Sequence, residues 1–190
     1  RLPDGRGGDA VELPPATTVA GIERFADKAR GVRGAADVKR ALRYACDNSL
    51  SPMETDIAET MVFDPRMGGL GLEKPQLNPR FEVTRKNRRA LPQSAYLPDL
   101  FWPRANISVE YDSDKHHRGD RKASEDAIRR NGIEHLGTRV VTLTWGQARN
   151  YYEFERVALL VASALGKKFG PGWDAWANRR IELHRLLVQR

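Results

Sequence analysis

The fold is decided by the stretch Ile107-Ser108-Val109-Glu110-Tyr111-Asp112. Apolar and polar side chains alternate along it, and a period of two predicts a β-strand because successive strand residues point to opposite faces. Glu110 and Asp112 should therefore project from one face, with Ile107, Val109 and Tyr111 on the other. We expect a strand over about 105–112 that carries two acids on one side.

The residues before this strand predict two more strands, at about 77–84 and 94–102. Between the second and third predicted strands lies the stretch Trp102-Pro103-Arg104-Ala105-Asn106, which is typical of a tight connection. Two strands joined so closely pair as an antiparallel hairpin. Asp99, on the second of these strands, should then lie beside Glu110 and Asp112.

The residues after the strand predict a helix and then a fourth strand. A polar helix is expected from Asp120 to about Asn131, with Gly132 ending it. Arg139 to Thr144 is β-branched and apolar, which predicts a buried strand. A helix between strands indicates an α/β protein whose mixed sheet is covered on both faces.

Helices are also predicted on either side of this region. Ser51-Pro52-Met53-Glu54 combines an N-cap residue, proline at the first helical position and a glutamate that can close a capping box. Helices are expected near 17–30 and 35–47, from Asn150 to Leu165, and over about 173–188. Trp173 and Trp176 could stack on nucleic-acid bases, but their helical spacing favours a core position.

We expect three parts: a linker and helical extension over residues 1–50, a core over 51–167, and a C-terminal helix over 168–190 packed on that core. The chain begins at Arg1 and not at Met, which predicts that it is the C-terminal part of a longer protein.

Composition limits the classes of function. The chain has 190 residues with 32 Lys and Arg against 25 Asp and Glu, a net charge of +7, so an anionic partner such as nucleic acid is the first candidate. A single cysteine, Cys46, excludes an intrachain disulfide and a thiolate metal cluster, and it fits a reducing cytoplasm. No segment has the roughly 18 apolar residues of a membrane helix, and no signal peptide is recognisable.

Carboxylates that converge on one spot repel each other unless a cation neutralises them. Oxygen ligands of this kind suit Mg²⁺ or Mn²⁺, which lower the pKa of bound water and stabilise charge on a phosphate. Asp99, Glu110 and Asp112 are therefore candidate metal ligands. The alternative is that Glu110 and Asp112 are ordinary solvent-facing residues of a half-exposed strand.

Several of these motifs, in this order, resemble the PD-(D/E)XK nuclease superfamily. The stretches concerned are Ser51-Pro52-Met53-Glu54, Asp99-Leu100-Phe101-Trp102-Pro103, Val109-Glu110-Tyr111-Asp112 followed by His116-His117, and the strand that ends at Trp145. The closer likeness is to a bacterial group of uncharacterised domains similar to very-short-patch repair endonucleases, and it covers about residues 51–146. The resemblance implies a restriction-endonuclease-like αβββαβ core with extra helices at both ends.

The resemblance also implies roles for single residues. Asp99 and Glu110 would bind the metal, and Glu54 would reach the site from the first core helix, although a capping glutamate needs no metal to explain it. Asp112 stands where the superfamily has lysine, and Ser113 stands where the group has glycine. Lys115, His116 and His117 are candidates to replace the lysine, with the histidines as general base and phosphate contact or as plain surface residues.

Two basic runs are candidate nucleic-acid contacts, or alternatively solvated loops: Arg85, Lys86, Arg88 and Arg89 before the Asp99 strand, and Arg118, Arg121 and Lys122 after the acidic strand. Together these features predict a metal-dependent endonuclease that acts on nucleic acid, DNA in preference to RNA, with homodimer formation left open. One alternative is an inactive nuclease-like scaffold that binds nucleic acid or a partner protein in a regulatory or phage-defence system. Another is a structural domain that associates through its C-terminal helices.

Overall fold

The protein is a mixed α/β structure in a computed structural model that describes residues 15–113, 120–170 and 172–189, with the side chains of 120–123 and 125 left out. These residues form seven α-helices, a four-stranded sheet and a two-stranded sheet. The chain divides into two compact units, one ending at Ala45 and one beginning at Cys46.

The N-terminal unit is a pair of helices, α1 (Val19–Lys28) and α2 (Ala35–Ala41). Thr18 caps α1 by accepting a hydrogen bond from the N–H of Gly21, and Lys39 forms an ion pair with Asp27 across the two helices. Helix α2 is shorter than the expected 35–47, because residues beyond Ala41 continue as turns.

The larger unit is built on a sheet with the order β1-β4-β5-β6. Its strands are β1 (Gln76–Leu77), β4 (Leu100–Trp102), β5 (Ile107–Asp112) and β6 (Arg139–Thr144). Strand β4 is antiparallel to both β1 and β5, whereas β6 is parallel to β5. The predicted hairpin and the predicted mixed sheet are therefore confirmed.

The two strands expected at 77–84 and 94–102 are each broken into shorter pieces. Asn78 has a φ of 49°, and Pro79 follows it, so β1 ends at Leu77 and the chain pairs again only as β2 (Phe81–Glu82). Pro98 similarly lies between β3 (Ala95–Tyr96) and β4, and a proline has no N–H to donate to a sheet. Strands β2 and β3 pair with each other as a separate antiparallel sheet.

Helices cover both faces of the four-stranded sheet, as predicted. One face packs with α3 (Pro52–Val62) and with α6 (Tyr151–Ala164) in a core that includes Ile57, Trp102 and Val109. Ser51 is the N-cap of α3, as its sequence predicts. Burying such apolar side chains contributes about 2 kcal/mol each, so this core is the main stabilising feature of the larger unit.

The other face is covered by α4 (Asp120–His135), which is one turn longer than expected. Gly132 does not end this helix but lies inside it. This position requires glycine because a Cβ there would come 2.2 Å from Cε1 of the Tyr96 ring. The helix is followed instead by Gly137, whose φ of +95° suits glycine. Ile133 and Tyr96 form a second, smaller core beneath α4.

The C-terminal helices follow β6. An unpredicted short helix, α5 (Trp145–Arg149), begins with a capping box of Thr144 and Gln147. Helix α6 is capped by Asn150. Its predicted apolar side is buried and consists of Phe154, Val157, Ala158, Val161 and Leu165. The last helix, α7 (Ala177–Leu187), is shorter than the expected 173–188 because Asp174–Trp176 is a 3-10 turn. Among the described residues, no helix is long and apolar enough to cross a membrane.

Candidate functional site

Two buried carboxylates lie side by side at the end of the β4–β5 hairpin that is farther from its turn. Asp99 immediately precedes β4 and, one position beyond the Leu100–Val109 pair, lies opposite Glu110 of β5. The N–H of Asp99 donates to Oε1 of Glu110 at 3.2 Å, and the N–H of Tyr111 donates to Oδ2 of Asp99 at 2.8 Å. Only 7% of Asp99 and 4% of Glu110 is exposed to solvent. The backbone thus holds both acids in fixed positions.

An arginine from α4 bridges the two acids. Nη1 of Arg129 donates to Oδ1 of Asp99 at 3.0 Å, and Nη2 lies 3.2 Å from Oε2 of Glu110. The second contact is an ion pair without hydrogen-bond alignment. Oε2 of Glu110 is buried, and no described residue donates a hydrogen bond to it. Among the described residues, one positive charge therefore faces two negative charges inside the protein.

This imbalance appears in the protonation of the site. Burial is the main reason that the pKa of Glu110 is raised from 4.5 to about 7; the charge of Asp99 adds to the rise, and Arg129 opposes it. Burial likewise raises the pKa of Asp99, against Arg129 and the N–H of Tyr111. Burial lowers the pKa of Arg129, but the two carboxylates outweigh it and the net shift is upward. The site thus favours an additional proton or cation.

Glu54 adjoins this pair and also caps α3. Its carboxylate accepts hydrogen bonds from the N–H of Leu50 at 2.9 Å and from Oγ of Ser51 at 2.8 Å, and its own N–H donates to Ser51. This is a variant of the expected capping box, because the glutamate accepts from the backbone N–H of Leu50 and from the hydroxyl of the N-cap Ser51, and not from the backbone N–H of the N-cap. The charge of Glu54 also raises the pKa of Asp99, so the capping residue contributes to the field at the site.

Asn78 connects Glu54 to the Asp99 segment. Its Nδ2 donates to Oε2 of Glu54 at 2.6 Å, and its backbone N–H donates to the carbonyl of Asp99 at 3.1 Å. Its left-handed backbone, with a φ of 49°, is a conformation that asparagine tolerates better than most residues. Asn78 thus connects the N-terminus of α3 to the residue that immediately precedes β4.

The remaining expected ligand, Asp112, lies two residues beyond Glu110 on the same side of β5 and is more exposed. In the described part of the chain, no group of three or more His, Cys, Asp or Glu side chains is arranged to hold a metal ion. The acids that the structure brings together are Asp99 and Glu110, with Glu54 next to them.

The predicted nucleic-acid contacts are only partly described. Arg85, Lys86, Arg88 and Arg89 are all exposed in the turn between β2 and β3. Arg121 and Lys122 lie in the first turn of α4, where the backbone alone is described. Lys115, His116, His117 and Arg118 lie outside the described residues.

Sequence reasoning missed two residues of this site, Arg129 and Asn78. A signal for Arg129 was present: it stands four residues before the buried Ile133, so both project from the side of α4 that faces the sheet. Asn78 had no comparable signal, because its position depends on the break between β1 and β2.

Comparisons with protein-family models, with curated proteins and with solved structures found no match.

Proposed function

We propose that this chain is a metal-dependent hydrolase of phosphodiester bonds in nucleic acid, with DNA as the preferred substrate. The observation that carries the proposal is the buried pair Asp99 and Glu110, two acids on adjacent strands with more negative charge than Arg129 neutralises. Such a pair is costly to keep in a protein interior, and binding a cation offsets that cost.

The chemistry of the pair fits Mg²⁺ or Mn²⁺. Both acids supply hard carboxylate oxygens, and Oε2 of Glu110 is buried with no hydrogen-bond donor in the described part of the chain. Asp99 and Glu110 would hold the ion, with Asp112 as the further ligand from the same side of β5. When bound, such an ion supplies Lewis acidity toward a phosphate and lowers the pKa of a bound water.

The element order supports a restriction-endonuclease-like core. Along the chain, α3 is followed by β1, β4 and β5 in the main sheet, then by α4 and β6. This is the αβββαβ order that the sequence resemblance implies, and Asp99 and Glu110 lie in its second and third strand regions. We therefore propose that α3 to β6 form a nuclease-like core.

The charge of the chain supports an anionic substrate. The net charge is +7, and the β2–β3 turn presents four exposed basic residues. This turn leads through β3 to Asp99, so phosphate contacts there would be made close in sequence to the acids. Binding of this kind weakens steeply as salt concentration rises.

A second candidate function is a nuclease-like scaffold that binds nucleic acid or a partner protein without cutting it. Two observations favour it: Arg129 already pairs with both acids, and Asp112 stands where the resemblance implies a catalytic lysine. An acid cannot supply the positive charge of that lysine.

The test is a cleavage assay on single- and double-stranded DNA and RNA with Mg²⁺, Mn²⁺ or EDTA. We expect metal-dependent cutting that falls by about a hundredfold or more in Asp99→Asn and Glu110→Gln, because each removes a proposed ligand. Glu153→Gln is the matched control, since Glu153 is a surface residue of α6. No cutting in any condition, together with salt-sensitive binding that both variants retain, would favour the scaffold.

A further inference from the structure

Arg129 lies between the two acids that are the proposed metal ligands. It contacts Asp99 and Glu110 simultaneously, through two nitrogens at 3.0 and 3.2 Å. We propose that Arg129 is a resident counter-ion that occupies the cation position of the metal-free site and gives way when a divalent metal binds. This inference rests on the proposed metal-dependent function.

The hydrogen bonds of the two acids separate their oxygens into two kinds. Oδ2 of Asp99 and Oε1 of Glu110 each accept a backbone N–H, at 2.8 and 3.2 Å. Oδ1 of Asp99 and Oε2 of Glu110 have no such donor and instead face the guanidinium of Arg129. The backbone therefore fixes both carboxylates while pointing one oxygen of each toward the same place.

The guanidinium can leave this position without unfolding its helix. About a third of the Arg129 side chain is exposed, at 33%, against 9% and 5% for the side chains of Asp99 and Glu110. A long side chain can keep its stem on the apolar surface while its charged head moves into water. The exchange of one positive charge for two would also neutralise both acids, which Arg129 alone does not.

A resident counter-ion has two measurable consequences. It should lower the affinity for divalent cations, because the metal must displace it and overcome its like charge. It should also stabilise the metal-free protein, because two buried carboxylates without a cation are unfavourable. Removing Arg129 should therefore weaken the metal-free fold while strengthening metal binding, two effects of opposite sign from one substitution.

The experiment measures Mn²⁺ binding by calorimetry, and thermal unfolding with and without Mn²⁺, on the 190-residue chain. We expect Arg129→Met to bind Mn²⁺ on the order of tenfold more tightly than the wild type. Its melting temperature in EDTA should be lower than that of the wild type, and Mn²⁺ should raise it by more. Arg130→Met is the matched control: Arg130 is the next residue on α4 and points about 100° away around the helix.

Two further variants keep the result interpretable. Arg129→Lys retains a charge but lacks the planar fork of donors with which the guanidinium faces both acids. Its Mn²⁺ affinity should therefore lie between those of the wild type and Arg129→Met, and it replaces Arg129→Met in the test if that variant does not fold. Adding Glu110→Gln to Arg129→Met should abolish the gain in affinity. Equal or weaker Mn²⁺ binding by Arg129→Met and Arg129→Lys than by the wild type would overturn the counter-ion role. If neither the wild type nor these variants bind Mn²⁺, the metal-dependent function itself is wrong.

Discussion

Arg129 and Arg180 both pair with carboxylates inside the larger unit, but they differ in how many acids share the cation. Arg180 of α7 is 3% exposed, and its Nε donates to Glu155 and to the hydroxyl of Tyr151, each at 3.2 Å. Its Nη1 donates to the carbonyl of Trp173 at 2.7 Å, and the guanidinium lies 3.7 Å from the centre of the Trp173 ring. One cation here meets one acid and several neutral partners.

The Arg129 cluster has the opposite balance. Within the described residues, two acids share one cation and one carboxylate oxygen has no hydrogen-bond donor, and the pKa of Glu110 is raised to about 7. A balanced buried pair fastens two elements together, in this case α6 and α7. An unbalanced pair retains attraction for a further cation. The contrast therefore separates a structural cluster from a candidate binding site by charge and hydrogen bonding alone.

The largest effect on stability should come from breaking the balanced cluster around Arg180. Arg180→Met should lower the free energy of unfolding by about 3 kcal/mol, because it removes a buried cation together with its hydrogen bonds to three residues. Urea unfolding monitored by circular dichroism measures this loss. Arg156→Met is the control, since Arg156 pairs with Glu153 on the surface of α6 and should cost about 0.5 kcal/mol or less. A loss no greater for Arg180→Met than for this control would contradict the structural role.

The unbalanced cluster should instead make stability depend on pH. The folded-state pKa of Glu110, about 7, lies above its ordinary 4.5, so in this range the folded protein binds more protons than the unfolded chain. In EDTA, the free energy of unfolding should therefore fall as pH rises from about 4.5 to about 7, by on the order of 2 kcal/mol, and then level off.

Glu110→Gln should remove most of this slope because glutamine does not titrate, whereas Glu153→Gln should keep it. Urea unfolding at several pH values gives the profile for each protein. A slope that persists unchanged in Glu110→Gln would place its origin elsewhere, and the electrostatic contrast between the two clusters would lose its basis.

The sequence predicted the regular parts of this fold better than the interrupted ones. Local signals in the sequence predicted strand β5, the caps at Ser51 and Asn150 and the buried apolar side of α6. The structure contains this strand, both caps and this buried helix side. The strands around Asn78 and Pro98 were predicted too long because a propensity window averages over a single residue that ends pairing. Gly132 was wrongly predicted to end α4, because the need for glycine there comes from another element, the ring of Tyr96 that packs against it.

The same distinction holds for the candidate site. The hairpin prediction was enough to expect Asp99 beside Glu110, because strand register follows from a tight connection. Arg129 could not be assigned in this way, since its contact with both acids depends on how α4 lies across the sheet. The charge balance of the site, which decides whether it attracts a cation, thus comes from a residue whose side of α4 a local pattern indicates but whose contacts it does not.

The smallest effect extends the comparison from charges to hydroxyl groups. Tyr151, in the balanced cluster, donates its O–H to Glu155 at 2.5 Å, and burial together with this bond raises its pKa to about 12. Tyr96, which packs against α4, has a buried hydroxyl oxygen for which the described residues supply no hydrogen-bond partner. Tyr151→Phe should therefore lower the free energy of unfolding by about 1 kcal/mol, whereas Tyr96→Phe should be neutral or slightly stabilising, because a buried polar atom without a partner is already unfavourable.

Urea unfolding compares the two variants, and alkaline absorbance should show that Tyr151→Phe removes a tyrosine that titrates near pH 12. If Tyr96→Phe costs as much as Tyr151→Phe, the hydroxyl of Tyr96 has a partner after all, and the contrast between the two tyrosine hydroxyls would lose its basis.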